Sequence, residues 1–290
     1  MAQLNGEKAV QVSGPRPPDD AGTASGLKKK RWLPTPPEGV HKSVVVLRML
    51  SPLLLLGLWQ VSSITTESIL FPSATEVLVA MWEMGTSGDL WVALWLSNQA
   101  LIIGATASLI LGITVGVLLG RSRRLDKIFG IYINIDLATP TIALLPIVII
   151  IFGLGLTARS VVVFTFGFAM VVSLVRTGAQ TVDEDLAEMG EAFAPTRWQM
   201  WSKVIIPGLL PALGGAIRIA VSRGVVGMVI VELILITVGI GGVVMDARAL
   251  FQGDRVYAGV IIICIEALLL MAAGRWIERK IAPQGMYGSK

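Results

Sequence analysis

The chain has 290 residues, of which 54% are hydrophobic and 15% charged, and its mean hydropathy is +0.73. A soluble domain of this length carries closer to a quarter charged residues, so the composition excludes an ordinary water-soluble globule. The net charge of +4 does not point to nucleic acid, because membrane proteins collect Lys and Arg in their cytoplasmic loops and become basic for that reason alone. A single cysteine, Cys264, and a single histidine, His41, leave no intrachain disulfide, no thiolate metal cluster and no histidine-based catalytic set. The glycine-rich phosphate loop of ATP-hydrolysing chains is absent from the sequence.

Residues 1–42 form a polar tail containing Pro15, Pro17, Pro18, Pro34, Pro36 and Pro37. It holds too little apolar surface to fold alone and lacks the apolar core of a signal peptide. Its Lys28-Lys29-Lys30-Arg31 run, just before the first apolar block, reads as a cytoplasmic anchor. A first span is predicted over Ser43–Ile64, with Arg48 reaching back to the headgroups. Segment 65–96 carries Glu67, Glu76, Glu83 and Asp89 but no Lys or Arg, and is therefore placed outside. Within it, Ser73-Ala74-Thr75-Glu76 has the spacing of a capping box and predicts a short helix running to about Gly85.

The second span is expected over Asn98–Gly120, and Arg121, Arg123, Arg124 and Lys127 follow it at once. Gly112, Gly116 and Gly120 recur every four residues, which predicts a face where two helices approach closely. The third span, Ile131–Gly155, is interrupted by Pro140 and Pro146. Broken backbone at membrane depth is tolerated where it lines a cavity or is buried in protein. Thr139, Pro140 and Thr141 are accordingly expected on a pathway, the other reading being a plain kink with the threonines bonded back to carbonyls. A fourth span covers Arg159–Val175, a fifth Leu209–Val238 and a sixth Tyr257–Trp276, closed by Arg275, Arg279 and Lys280. Six spans with both termini cytoplasmic place every basic cluster inside, whereas an odd count would put one outside. The fold expected is thus all-α and polytopic: a tail over 1–42, a membrane domain over 43–282 and a short cytoplasmic C-terminal tail over 283–290.

The loop over 183–207 is the most informative stretch. Asp183, Glu184 and Asp185 suit the positive end of a short helix that Pro195 ends. Thr196-Arg197-Trp198-Gln199 is a second capping box that opens another helix, and Pro207 ends or kinks it. Phe193, Trp198, Met200 and Trp201 need a cover, which is either the spans of the same chain or a cytoplasmic partner.

This segment resembles the loop of binding-protein-dependent ABC transporter permeases, whose pattern is Glu-Ala-Ala, then Gly four residues on, then an apolar-Pro pair. Glu188 takes the glutamate position, Met189 and Gly190 the two alanine positions, Ala194 the glycine position, and Ile206-Pro207 the apolar-Pro pair. Leu70-Phe71-Pro72-Ser73, Gly112-Ile113-Thr114-Val115-Gly116, Thr139-Pro140-Thr141-Ile142-Ala143-Leu144-Leu145-Pro146, Phe152-Gly153-Leu154-Gly155, Ala216-Ile217-Arg218-Ile219-Ala220 and Val231-Glu232-Leu233 are similar to stretches of the nitrate/sulfonate/taurine/bicarbonate subgroup, in one unbroken order over about residues 67–283. The resemblance implies a type I importer half-channel in a bacterial inner membrane, with a second permease subunit, expected to be identical. Two separate ATP-binding subunits would dock below, and an extracytoplasmic binding protein would deliver the solute. ATP and Mg2+ would then belong to the partners, with no cofactor in this chain and no catalytic role for it. Glu188, Gly190, Glu191, Ala194, Pro195, Arg197, Trp198 and Pro207 would form the ATPase-coupling loop. The substrate implied is a small anion of the nitrate, bicarbonate, taurine or alkanesulfonate class. A self-contained secondary transporter or channel is the other class of reading, and would need its own ion-coupled acidic site and usually an internal repeat.

Charges inside the spans bear on the pathway, to which Arg218, Arg223 and Glu232 are assigned beside Thr139, Pro140 and Thr141. Arg218, Arg223, Glu232 and Glu266 lie in apolar segments or at their edges, where charges face a cavity or a partner. Arg218 either snorkels or lines the path. Arg223 either pairs with Glu232 or Glu266, or attracts an anion from the path.

Overall fold

The computed structural model describes residues 40–66, 68, 70–181, 196–235 and 238–281, and among them there are helices and turns but no strand. The 1–39 tail, the C-terminal residues from 282 on, and Glu188, Gly190, Glu191, Ala194 and Pro195 of the expected coupling loop lie outside the described residues.

The chain opens with α1 (Val40–Thr66), already helical before the predicted start of the first span. Pro52 lies inside it and cannot donate to the Arg48 carbonyl one turn back. The Ser51 hydroxyl turns toward that carbonyl instead, at 3.5 Å. By its internal contacts the chain divides here, into residues up to Pro52 and a main unit from Leu53 onward.

In the main unit, α2 (Ala74–Ser87) starts at the predicted capping box. The Ser73 hydroxyl accepts from the Glu76 amide and the Glu76 carboxylate accepts from the Ser73 amide, at 3.3 and 2.8 Å. Ser73→Ala is expected to cost about 1 kcal/mol of stability, a difference that thermal unfolding in detergent resolves. The last turn of α1 is fastened to the segment leading into α2. The Trp59 indole donates to the Pro72 carbonyl at 3.1 Å and the Ser63 hydroxyl to the Phe71 carbonyl at 2.7 Å.

Next come α3 (Asp89–Arg121), α4 (Arg123–Ala138), a 3-10 turn over Thr141–Leu144, α5 (Leu145–Phe152) and α6 (Leu156–Thr181). After residue 195 follow the short α7 (Arg197–Met200), a π-helical turn over Trp201–Ile205, α8 (Ile206–Ile234), α9 (Gly239–Ala249) and α10 (Gly253–Ile281). Four helical stretches among the described residues are long and apolar enough to cross a membrane, and a fifth if the bent pair of α4 with the 141–152 segment counts as one span. The apolar part of α1, Leu50–Thr66, is shorter than these.

The tightest packing is between α3 and α6. Gly104, Gly112, Gly116 and Gly120 on α3 face Val163, Val171, Val175 and Ala179 on α6, and Ser108 occupies the intervening position against Gly167. The predicted glycine face is therefore one side of a longer small-residue stripe. The outer side of α3 shows the opposite pattern, with Ile102, Ile103, Ile110, Leu111 and Leu118 exposed. Small residues inside and large aliphatics outside suit a helix solvated by lipid tails. Burial of apolar area gives no driving force there, and close packing decides which faces meet. A second cluster ties α2 to α9 and α10 through Val77, Ala80, Met84, Ile240, Val244 and Ala258.

Candidate functional site

Among the described residues, charged and polar groups gather in a pocket beside the break in α4, in a buried knot around Glu232, and at the end of the helical body where α3 leads into α4.

Pro140 supplies no N–H, so α4 cannot continue through it. The Thr139 amide closes the helix onto the carbonyls of Ile135 and Asp136, at 2.9 and 3.1 Å. Its hydroxyl also donates to the Ile135 carbonyl, at 2.7 Å. The chain then turns by 93° into the Thr141–Phe152 segment. Thr139 thus takes the role of a back-bonded threonine at a kink, whereas Thr141 lines a pocket of about 350 Å3 together with Asp136, Thr165, Met170 and Arg223. Arg223 is exposed and does not pair with Glu232 or Glu266, which have other partners. Asp136 sits 13 residues into α4, about 20 Å from its start. Thr165 lies nine residues into α6, about 14 Å from the opposite side. The pocket therefore lies several turns in from the start of both helices.

The buried knot joins four helices. The Glu232 side chain is fully buried on α8, 3.4 Å from the Arg159 guanidinium of α6, which is 5% exposed. The same Nη1 donates to the Leu96 carbonyl at 3.1 Å. The Ser97 hydroxyl of α3 donates to Glu232 Oε2 at 2.8 Å and accepts from the Ile240 amide at 3.0 Å. The Gly241 amide donates to Oε2 at 3.2 Å. Val238 offers no side-chain cap for α9, so Glu232 and Ser97 serve as its cap, and anionic oxygens are favoured at a helix N-terminus. Gly239, at φ +77°, adopts a left-handed backbone beside this carboxylate. Glu232, expected on the pathway, thus sits in a sealed interior network. Nearby, Asn98 donates to Glu266 at 2.6 Å. Arg159 entered the sequence reading only as a span boundary; a charge at the edge of an apolar run was the signal that could have marked it.

At the basic end, Asp126 of α4 forms an ion pair with Arg176 of α6. Arg218 reaches Glu278 of α10 at 3.1 Å and is not among the residues lining the Arg223 pocket. The second predicted capping box closes as expected. The Thr196 amide donates to Gln199 Oε1 at 3.0 Å and the Gln199 amide to Thr196 Oγ1 at 3.3 Å. Arg197 opens α7. Of the two roles open to Pro207, ending the helix or kinking it, the helix does not end there. A wider π turn carries it into α8 with Pro207 in the first turn of the next helix, where a missing N–H costs little. Met200 packs against the cluster of Ala179, Ile205 and Leu209, and the Arg121 guanidinium lies 6.0 Å from the Trp201 ring centre. Trp198 stays 77% exposed.

Against this geometry, residues 108–283 match the family model described as the binding-protein-dependent transport system inner membrane component. The chain belongs to this family of ABC transporter permeases. Within it, the taurine transport system permease protein of Escherichia coli (strain K12) is 30% identical over 231 residues, covering 78% of this chain and 84% of that protein. A putative aliphatic sulfonates transport permease of Bacillus subtilis (strain 168) is 28% identical, covering 80% and 85%. The nitrate import permease of Leptolyngbya laminosa is 25% identical, covering 79% and 85%. Among solved structures, a chain of the inward facing methionine ABC transporter MetNI superposes with a TM-score of 0.57 at 20% identity, covering 67% of this chain and 96% of that one. That likeness establishes the fold. This permease is accordingly a multi-pass bacterial membrane protein of the nitrate/sulfonate/taurine subgroup.

Proposed function

We propose that the chain is the membrane-spanning subunit of an ABC importer, and that two copies form the translocation pathway for a small solute bearing an acidic group, of the nitrate, bicarbonate, taurine or alkanesulfonate class. The observation that carries this reading is the polar pocket beside the 93° break in the third span. Broken helices whose exposed ends and unwound backbone face a cavity are how many membrane transporters build substrate sites. Thr141 and Arg223 are assigned to this pathway, Thr139 and Pro140 to the kink beside it, and Arg218 and Glu232 to structural pairs that hold its walls. With α1 and the bent pair each counted as a span, the chain crosses six times and both termini are cytoplasmic. That orientation puts the basic end inside.

Two ATPase subunits bind the basic end at the 183–207 loop, through Glu188, Gly190, Glu191, Ala194, Pro195 and the capped helix that contains Arg197 and Trp198. The exposed Trp198 ring supports this docking, because large aromatics anchor protein interfaces. ATP and Mg2+ act in those partners, and a binding protein delivers solute to the opposite end. There, a cavity of about 640 Å3 is lined in part by Glu76 and Asp254. Transport proceeds by alternating access, which partners drive through differential affinity for the two states.

The test is purification of the tagged chain from mild detergent with an assay of ATP hydrolysis. An ATPase subunit at one copy per permease, released or uncoupled by Glu188→Lys, is the expected result. A clean eluate from membranes that still transport would instead favour a self-contained transporter or channel.

A further inference from the structure

Asp136 and Arg223 line the same pocket between apolar helices, yet neither is joined to the other, or to any third group, by an ion pair among the described residues. Intramembrane charges are costly and normally neutralise one another or face a hydrated cavity. A carboxylate and a guanidinium held in one cavity without closing on each other leave two opposite charges for a ligand to satisfy. A plain anion would meet Arg223 but also the repulsion of Asp136, and a plain cation the reverse. A molecule carrying both charges satisfies both walls. Thr141 supplies a further polar group, and Phe166, Met170 and Ile230 supply an apolar wall that suits a short alkyl link. The volume of about 350 Å3 lies in the range of small-molecule sites.

We infer that this pocket is a subsite for a small zwitterion, with its sulfonate or carboxylate on the Arg223 guanidinium and its ammonium on the Asp136 carboxylate. The inference rests on the permease reading and narrows it from acidic solutes in general to those that also carry an amine. Arg suits the acidic group because its planar fork meets an oxyanion with two parallel hydrogen bonds.

The experiment measures binding to the permease purified together with its ATPase subunits and without the binding protein, by isothermal titration. The probes are 2-aminoethanesulfonate, β-alanine, ethanesulfonate and ethylamine. At least one of the two zwitterions is expected to bind about tenfold or more tightly than ethanesulfonate and ethylamine. Asp136→Asn should lower zwitterion affinity while raising that of ethanesulfonate, which no longer meets a like charge, and Arg223→Gln should weaken every probe that carries an acidic group. Equal binding of ethanesulfonate and 2-aminoethanesulfonate by the unaltered complex would overturn the inference, and so would no binding of any probe by a complex that still hydrolyses ATP. The comparison among probes on the unaltered complex stands even if a variant fails to assemble. A chain that brings no ATPase with it would count against the permease reading itself.

Discussion

Glu232→Ala is expected to destabilise the permease by about 3–5 kcal/mol, the cost of removing one partner from a buried ion pair. Three groups lose their partner at once. The Arg159 guanidinium, 5% exposed, is left as a buried charge with only the Leu96 carbonyl. The Gly241 amide loses its acceptor, and the Ser97 hydroxyl, still accepting from Ile240, loses the group to which it donates. Glu232→Gln should cost less, since an amide oxygen still accepts from the Gly241 amide. The double change Arg159→Leu with Glu232→Leu should recover part of the loss, because no charge is then stranded. Thermal unfolding of the detergent-solubilised chain, followed by size-exclusion recovery after heating, checks the order. A Glu232→Ala protein as stable as the parent would remove the network from the fold's energetics.

Gly116→Leu is expected to abolish the folded state, at a cost above the ~1–3 kcal/mol of ordinary overpacking. A Cβ at this position would stand 2.8 Å from Val175 Cβ and 2.9 Å from the Val172 carbonyl oxygen. Both belong to α6, and a backbone oxygen cannot swing aside as a side-chain tip can. The helices would have to separate along their whole contact, since Gly112 and Gly120 make similar approaches one turn away on either side. Gly85→Leu is the control. It too lies in a helix, but nothing is within 4 Å of a Cβ there, and a helix former replaces glycine at no packing cost. Monodisperse Gly85→Leu and aggregated Gly116→Leu on fluorescence-detected size exclusion is the expected pair of outcomes. Normal elution of Gly116→Leu would mean that α3 and α6 are not held together by this stripe.

Much of this architecture was local, and so was readable from the chain. Both capping boxes depend on residues three apart, and both form as their spacing demands. The span cores follow from apolar runs that no soluble fold requires, and the four-residue glycine spacing marks a contact face whatever helix lies opposite. The break at Pro140 is equally local, because a missing N–H stops a helix wherever it stands. Sequence could not decide which distant charges meet. Arg223 and Arg159 were each available to Glu232, and only the packing of α6 beside α3 and α8 brings Arg159 to it. Nor did the apolar pattern reveal that Glu232 caps α9, or that Asp136 and Thr165, both unremarked in the chain, flank Arg223 across the pocket. Periodicity assigns a residue to a face of its own helix, whereas a binding site is set by which helices lie side by side and at what height. In a membrane those two quantities come from close packing, with no hydrophobic gradient between helices to write them into the apolar pattern.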